Sequence, residues 1–183
     1  MRTAARFAYI AVVLFAAHFA TYFVPALRDA TFATAPALAL GVAALAIAEH
    51  GVVFPVASAL PAPGWARVSA YVWLIGDMIS DLMQLAGSPI SQYLALRLLV
   101  NVLAAIWFLV ASWRAPLAMR IIGIFIGCDL VAYSLTAPFD RGAFVISLPS
   151  LILVPVWFWL VGRLLTALSE QMSTPRSQPA IRE

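Results

Sequence analysis

The sequence predicts an all-α protein, a polytopic bundle of six transmembrane helices with both termini on the cytoplasmic side. Of its 183 residues, 64% are hydrophobic and only 10% are charged, and the mean hydropathy is +0.97. Soluble domains carry about 25% charged residues, so this composition is typical of a protein embedded in a bilayer. The third observation is a series of apolar runs of about 20 residues, the length of a membrane-crossing helix.

The apolar runs fill residues 1–168, which we expect to form one six-helix transmembrane domain, with a polar, disordered cytoplasmic tail over residues 169–183. Arg2 and Arg6 precede the first run, as in a signal peptide. That run, residues 7–27, is longer than the roughly 7–15 apolar residues of a signal peptide. It therefore predicts an uncleaved first span.

The remaining spans are separated by prolines, glycines and charged turns. The second run, residues 32–60, is long enough to break, and a break is expected at Glu49-His50-Gly51 or at Pro55. The other four predicted spans cover residues 65–86, 89–113, 116–138 and 144–168.

Arginine sets the predicted orientation, because cytoplasmic loops of membrane proteins collect basic residues. With the N-terminus inside, the outer turns hold only Arg28 and Arg141, each beside an aspartate. The cytoplasmic side then holds Arg2, Arg6, Arg67, Arg114, Arg120, Arg163, Arg176 and Arg182. This asymmetry predicts a multi-pass protein of the cytoplasmic (inner) membrane.

A weak internal repeat pairs the third and fourth spans with the fifth and sixth. Gly76 lies 31 residues before Trp107, and Gly127 lies 30 residues before Trp157. The two hairpins would then be copies of one unit.

Several classes of function are excluded or disfavoured. The net charge of +3 comes from single scattered arginines, which is not the pattern of a nucleic-acid-binding surface. The chain has no lysine for Schiff-base chemistry, and its single Cys128 cannot form an internal disulfide or a thiolate zinc site. No nucleotide-binding, zinc-protease or serine-hydrolase motif occurs. We expect no bound cofactor and no metal site.

The most informative stretch is the third span, where four polar residues share one helical face. Asp77, Ser80, Asp81 and Gln84 follow one another at i, i+3, i+4 and i+7. An ionisable group in hydrocarbon costs several kcal/mol, so this face must point toward protein, water or a ligand.

Other spans place polar residues at similar depth. In the hairpin of the third and fourth spans, Asp81 lies level with Arg97 and Asp77 with Asn101. We therefore expect an Asp81–Arg97 ion pair and an Asp77–Asn101 hydrogen bond. His18, Glu49, Asp129 and Tyr133 lie at or near the same layer in the first, second and fifth spans.

These residues define the predicted site. The two acids expected to carry a proton or act in catalysis are Asp77 and Asp129. The residues expected to bind are His18, Glu49, Asp81, Arg97, Asn101 and Tyr133. Intramembrane acids that outnumber their basic partners are typical of proton relays and cation sites.

Three functions are open at this point. The first is transport of a small solute coupled to a proton or cation, and the second is a membrane-embedded enzyme that uses a buried aspartate as general acid on a lipid or isoprenoid. The third is a structural or assembly subunit of a membrane complex. The expected partners are the lipid bilayer and an unidentified small-molecule or lipid ligand, without nucleic acid; an oligomer is compatible with the sequence.

Overall fold

A computed structural model describes residues 1–140 and 144–173, and the regular secondary structure of these residues is entirely helical. The helices are α1 (Arg2–Thr21), α2 (Pro25–Arg28), α3 (Pro36–Gly51), α4 (Val53–Ala59), α5 (Gly64–Leu85), α6 (Ile90–Ser112), α7 (Leu117–Thr136) and α8 (Phe144–Ser173).

Five segments of the described chain are long and apolar enough to cross a membrane, which indicates a multi-pass membrane protein. They are Arg2–Thr21, Pro36–Ala59, Ile90–Ser112, Leu117–Thr136 and Val145–Ser173. Helix α5 has 22 residues, a similar length, but it is less apolar because it carries Arg67, Asp77 and Asp81.

Prolines and one glycine define the helix boundaries, as the sequence predicts. Helix α3 ends at Gly51 and α4 begins at Val53, which confirms the predicted break. Pro55 lies in the first turn of α4, where its missing N–H removes no helical hydrogen bond.

The C-terminal boundary differs from the prediction. Helix α8 continues to Ser173, so residues 169–173, which the sequence assigns to the tail, are helical. The rest of the predicted tail, residues 174–183, lies outside the described residues, as do residues 141–143 of the predicted outer turn.

The long helices form a closed ring in which each packs against two neighbours. Helix α8 contacts α1 and α7, α6 contacts α5 and α7, and the broken α3–α4 segment lies between α1 and α5. The Nη2 of Arg2 donates a hydrogen bond to the Oγ of Ser173 at 3.3 Å. The start of α1 and the end of α8 therefore lie at the same end of the bundle.

An aromatic cluster fills the centre of the ring. The ring centroids of Trp107 and Trp157 are 5.1 Å apart, and those of Phe108 and Trp157 are 4.9 Å apart. The Nε1 of Trp157 donates to the Oγ of Ser112 at 2.9 Å, so its polar atom is satisfied without water. These side chains are almost fully buried and form the core of the bundle.

Glycines allow α5 and α7 to approach α6 closely. A Cβ on Gly76 would overlap the Cγ1 of Val100, and one on Gly127 would lie 2.6 Å from the Cγ of Leu109. Both glycines pack against α6. Gly76 belongs to the predicted hairpin of α5 and α6, whereas Gly127 belongs to the predicted hairpin of α7 and α8, so the two contacts are not equivalent. The internal repeat stays a prediction.

Candidate functional site

A cavity of about 700 Å³ lies inside the ring of helices. Its wall includes exposed Ile90, Ser91 and Asp140, so it reaches the surface at the end of the bundle opposite Arg2 and Ser173. Seven of the eight predicted site residues line this cavity: His18, Glu49, Asp77, Asp81, Arg97, Asn101 and Tyr133. The polar layer expected from the sequence is thus a continuous surface to which five helices contribute.

The predicted ion pair of Arg97 and Asp81 is confirmed, with Nη2 of the guanidinium bonded to Oδ1 of the carboxylate. The Nε of Arg97 donates to the Oγ of Ser80 at 3.1 Å, and Nη1 donates to the hydroxyl of Tyr22 at 3.3 Å. The hydroxyl of Ser80 in turn donates to the backbone carbonyl of Tyr93. All three guanidinium nitrogens therefore have partners, and the side chain is held in one orientation.

The predicted hydrogen bond between Asp77 and Asn101 is wrong. The Oδ2 of Asp77 lies 3.2 Å from the Nε2 of His50, a residue of α3, and no hydrogen bond joins Asp77 to Asn101 in the described chain. The Nδ1 of His50 lies 2.7 Å from the carbonyl oxygen of Ala46. The reason is that α3 packs against α5 and brings a stronger donor to Asp77 than an amide.

The hydrogen bonds of His50 require an extra proton. A carbonyl oxygen can only accept, so the Nδ1 of His50 carries a hydrogen. The Nε2 then bonds to Asp77 only if it is also protonated or if Asp77 is a neutral acid. The pair of His50 and Asp77 therefore holds one proton more than a neutral imidazole beside a carboxylate.

A second acid–imidazole pair joins α1 to α3. The Nδ1 of His18 lies 2.5 Å from the Oε1 of Glu49, and Glu49 is only 2% exposed. Its other oxygen, Oε2, is buried and has no hydrogen-bond partner. The Oδ1 of Asp77 is likewise buried without a hydrogen bond, 3.8 Å from the Nε of Arg97. Two buried carboxylate oxygens beside the cavity thus lack a hydrogen-bond partner in the described chain.

Three of these residues come together from three different helices. One side-chain donor atom each from His18, Glu49 and Asp81 lies within 4.8 Å of the other two. Glu49 and Asp81 are buried, and His18 is nearly so. Such a group could not be recognised from sequence spacing, because its members belong to α1, α3 and α5.

Asp129 is the predicted site residue that does not line the cavity. The hydroxyl of Ser150 and its backbone N–H, 3.2 Å away, both donate to the Oδ2 of Asp129. Ser150 follows Pro149 inside α8, and a proline in a helix loosens the hydrogen bonding around it. Ser150 itself lines the cavity. Asp129 is therefore hydrogen-bonded to a residue of the cavity wall without lining the cavity.

His50 and Ser150 belong to the site although neither is among the residues predicted from the sequence. The position of His50 in its span lies inward of the polar layer, and nothing in the sequence indicates that its ring turns toward α5. For Ser150, the prolines of α8 are the one feature of the sequence that could have indicated a place in the site. His50 of α3 contacts α5, and Ser150 of α8 contacts α7.

The buried charges of the cavity wall do not balance. Glu49, Asp77 and Asp81 are carboxylates, and Arg97 is the permanently charged base of the described wall. Asp140 lies at the exposed rim of the cavity and not among the buried groups. Because the pair of His50 and Asp77 holds one extra proton, one surplus negative charge remains on the wall. In surroundings of low dielectric such a surplus must be compensated by protons or by a bound cation.

Comparison with protein-family models, with curated proteins and with solved structures finds no match to this chain. The geometry and charge of the cavity are therefore the grounds for a function.

Proposed function

We propose that this chain is a six-span transporter of the cytoplasmic membrane that moves a small solute together with a proton or another cation. The observation that carries the proposal is the cavity of about 700 Å³ with one guanidinium and three carboxylates on its wall, of which Glu49 and Asp81 are buried and Asp77 is partly buried. Ionisable groups inside a membrane are costly even when they are paired, so several of them around one cavity support a functional role.

The crossing of α5 is part of this proposal. Five segments of the described chain qualify as spans by length and composition, and an odd number of crossings would put Arg2 and Ser173 on opposite sides. The hydrogen bond between these two residues favours an even number, which α5 supplies. Asp77 and Asp81 of α5 line the cavity, so they do not oppose its insertion. The arginine asymmetry favours a cytoplasmic position for both termini.

The residues have distinct proposed roles. Asp77 carries a charge that is exchanged during transport, with His50 as its partner. The ion pair of Asp81 and Arg97 locks α5 to α6 and sets the electrostatic potential of the cavity. The direct contacts to the solute come from the unpartnered oxygens of Glu49 and Asp77 and from His18, Asn101 and Tyr133. Asp129 supports the wall through Ser150.

The cavity also has an apolar part. Phe15, Phe19, Trp73 and Phe108 contribute aromatic surface beside the carboxylates. Aromatic faces attract cations, and ligand sites commonly combine apolar walls with a few polar groups. We therefore expect a solute that has an apolar body and a cationic or hydrogen-bonding group.

The position of the opening favours transport over the two alternatives. An enzyme acting on a lipid would need a passage through the side of the bundle to the acyl chains, whereas this cavity reaches the turns near Ser91 and Asp140. A structural subunit would need only a filled interior. Asp77 as a general acid on a lipid or isoprenoid is the second hypothesis.

The experiment uses the full chain purified in mild detergent and rebuilt into sealed vesicles. A defined pool of amines, amino acids, sugars and carboxylic acids is added outside, and the contents of the vesicles are measured by mass spectrometry. We expect at least one compound to accumulate in vesicles that contain the protein, with movement of a cation measured by a pH dye or an ion-selective dye. The proposal would be contradicted if vesicles with the protein contained the same amounts of all compounds as vesicles without it.

A further inference from the structure

We propose that His18, Glu49 and Asp81 bind a divalent transition-metal cation inside the cavity. The three side chains provide one imidazole nitrogen and two carboxylate oxygens. This assignment deepens the proposed function by naming the class of cation, and it rests on that function in taking the cavity as a binding site.

The geometry fits a metal with three protein ligands. One donor atom from each residue lies within 4.8 Å of the others. In a tetrahedral zinc site the bonds to nitrogen and oxygen are about 2.0–2.2 Å long, which puts ligand atoms about 3.3–3.6 Å apart. Small side-chain rotations of the three residues close that difference. The fourth position faces the cavity, where it can take water or the solute, as in zinc sites with an open coordination position.

An independent observation indicates a missing ligand at this place. Glu49 is 2% exposed, its Oε2 is buried, and this oxygen has no hydrogen-bond partner. Buried carboxylate oxygens are nearly always paired or bound to a metal. A cation that binds both His18 and Glu49 replaces the hydrogen bond between the Nδ1 of His18 and Oε1 with bonds to the metal.

The charge of the cavity wall favours a cation. Three carboxylates face one guanidinium, and the pair of His50 and Asp77 holds one extra proton, so one negative charge remains on the wall. A divalent cation makes the wall neutral when that extra proton leaves the pair, because metal binding commonly releases protons.

Neighbouring residues hold the proposed ligands in place. Arg97 binds the carboxylate of Asp81, and the Nδ1 of His50 lies 3.4 Å from the Oε1 of Glu49. Such contacts orient ligands and affect metal affinity strongly. The imidazole favours zinc and the later transition metals over magnesium, calcium and manganese, which prefer oxygen ligands.

The test is equilibrium binding to the full chain in detergent after treatment with a chelator. Zn²⁺ is titrated by calorimetry, and Co²⁺ by the visible absorption that a tetrahedral cobalt site produces. We expect one Zn²⁺ per chain, competition between Zn²⁺ and Co²⁺, and no displacement by excess Mg²⁺. A folded wild-type protein that binds neither Zn²⁺ nor Co²⁺ would overturn the assignment.

Variants locate the site. His18→Gln and Glu49→Gln remove one ligand each, while the glutamine can still form a hydrogen bond, and we expect at least about tenfold weaker Zn²⁺ binding in each. Asp29→Asn is the matched control. Asp29 is exposed, and two hydrogen bonds from Arg28 hold the pKa of its carboxyl below the usual range, so it is an ionised acid outside the spans. Unchanged affinity in both glutamine variants would overturn the proposal.

X-ray absorption at the zinc edge identifies the ligands of the metal in the wild-type protein, so this test does not require a variant to fold. One imidazole with oxygen ligands supports the site, and a sulfur ligand or no imidazole overturns it. Zinc binding without solute uptake in vesicles would keep the metal site and refute transport. Uptake without zinc binding would refute the metal site alone.

Discussion

Arg97 of α6 and Asp81 of α5 form an ion pair inside the ring of helices, and Ser80 and Tyr22 bind the remaining nitrogens of the same guanidinium. The side chain of Arg97 is 17% exposed and that of Asp81 is 8% exposed. Because both charges are largely removed from water, each depends on the other for compensation.

We expect Arg97→Ala to destabilise the protein more than the double variant Arg97→Ala/Asp81→Ala. The single change leaves the Asp81 carboxylate buried without its partner, and breaking a buried pair in this way costs about 3–5 kcal/mol. The double change removes both charges. The two variants and the wild type can be compared by thermal unfolding in mild detergent.

The exposed pair of Arg28 and Asp29 provides the matched control. Its two hydrogen bonds are 2.8 and 2.9 Å long, but both side chains are in contact with solvent. Arg28→Ala should not measurably change the unfolding temperature, because solvent screens exposed pairs. A double variant of the buried pair that loses the sum of the two single losses would show that Arg97 and Asp81 are not coupled.

Asp77→Asn should reduce solute uptake to the level of empty vesicles while the protein still inserts and folds. The amide can accept the hydrogen bond from His50, so the contact between α3 and α5 is kept. The charge is lost, and with it the free anionic Oδ1 in the cavity wall. Uptake is measured in vesicles with the solute found for the wild type. Asp29→Asn, which removes an exposed carboxylate, serves as the control, and uptake by Asp77→Asn equal to that of the wild type would refute the role of Asp77.

Within the hairpin of α5 and α6, the sequence correctly pairs Asp81 with Arg97 but wrongly pairs Asp77 with Asn101, and it says little about contacts between hairpins. Asp81 and Arg97 face each other across a short turn, so their depths in two adjacent spans are sufficient to pair them. The depth of a residue in the membrane does not indicate which helix from another part of the sequence packs beside it. His50 therefore takes the place expected for Asn101 as the partner of Asp77, and the group of His18, Glu49 and Asp81 could not be foreseen.

The fold is predictable for similar reasons. Helix boundaries follow from prolines and glycines, which act locally, and the break after Gly51 is expected from the length of the run and its residues. The position of Asp129 depends on how α7 is rotated about its axis. That rotation is set by the close approach of Gly123 and Gly127 to side chains of α6 and α8. A hydropathy pattern does not show which glycines lie against a neighbouring helix.

Gly123→Ala should destabilise the bundle by about 1–3 kcal/mol, the usual cost of overpacking. A Cβ at Gly123 would overlap the Oγ of Ser112 and lie 2.8 Å from the Nε1 of Trp157. It would therefore separate α7 from α6 and break the hydrogen bond between Trp157 and Ser112. Thermal unfolding and the tryptophan fluorescence spectrum would report the two effects.

Gly41→Ala is the control for this substitution, because Gly41 also lies inside a helix but a Cβ added there would meet no atom within 4 Å. Alanine is favoured over glycine in a helix by about 1 kcal/mol, so this variant should be as stable as the wild type or more stable. Equal losses of stability in the two variants would contradict the close packing of α7 on α6.

The crossing of α5 predicts that its two ends lie on opposite sides of the membrane. Cys128 is the single cysteine of the chain, so Cys128→Ala gives a background for single-cysteine labelling. Gly64 and Ala86 are exposed residues at the two ends of α5. In intact cells a membrane-impermeant maleimide should label Ala86→Cys, and it should label Gly64→Cys only after the membrane is opened. The unsubstituted Cys128→Ala protein gives the background signal. Labelling of both positions from the same side would mean that α5 does not cross, and the six-span topology would have to be abandoned.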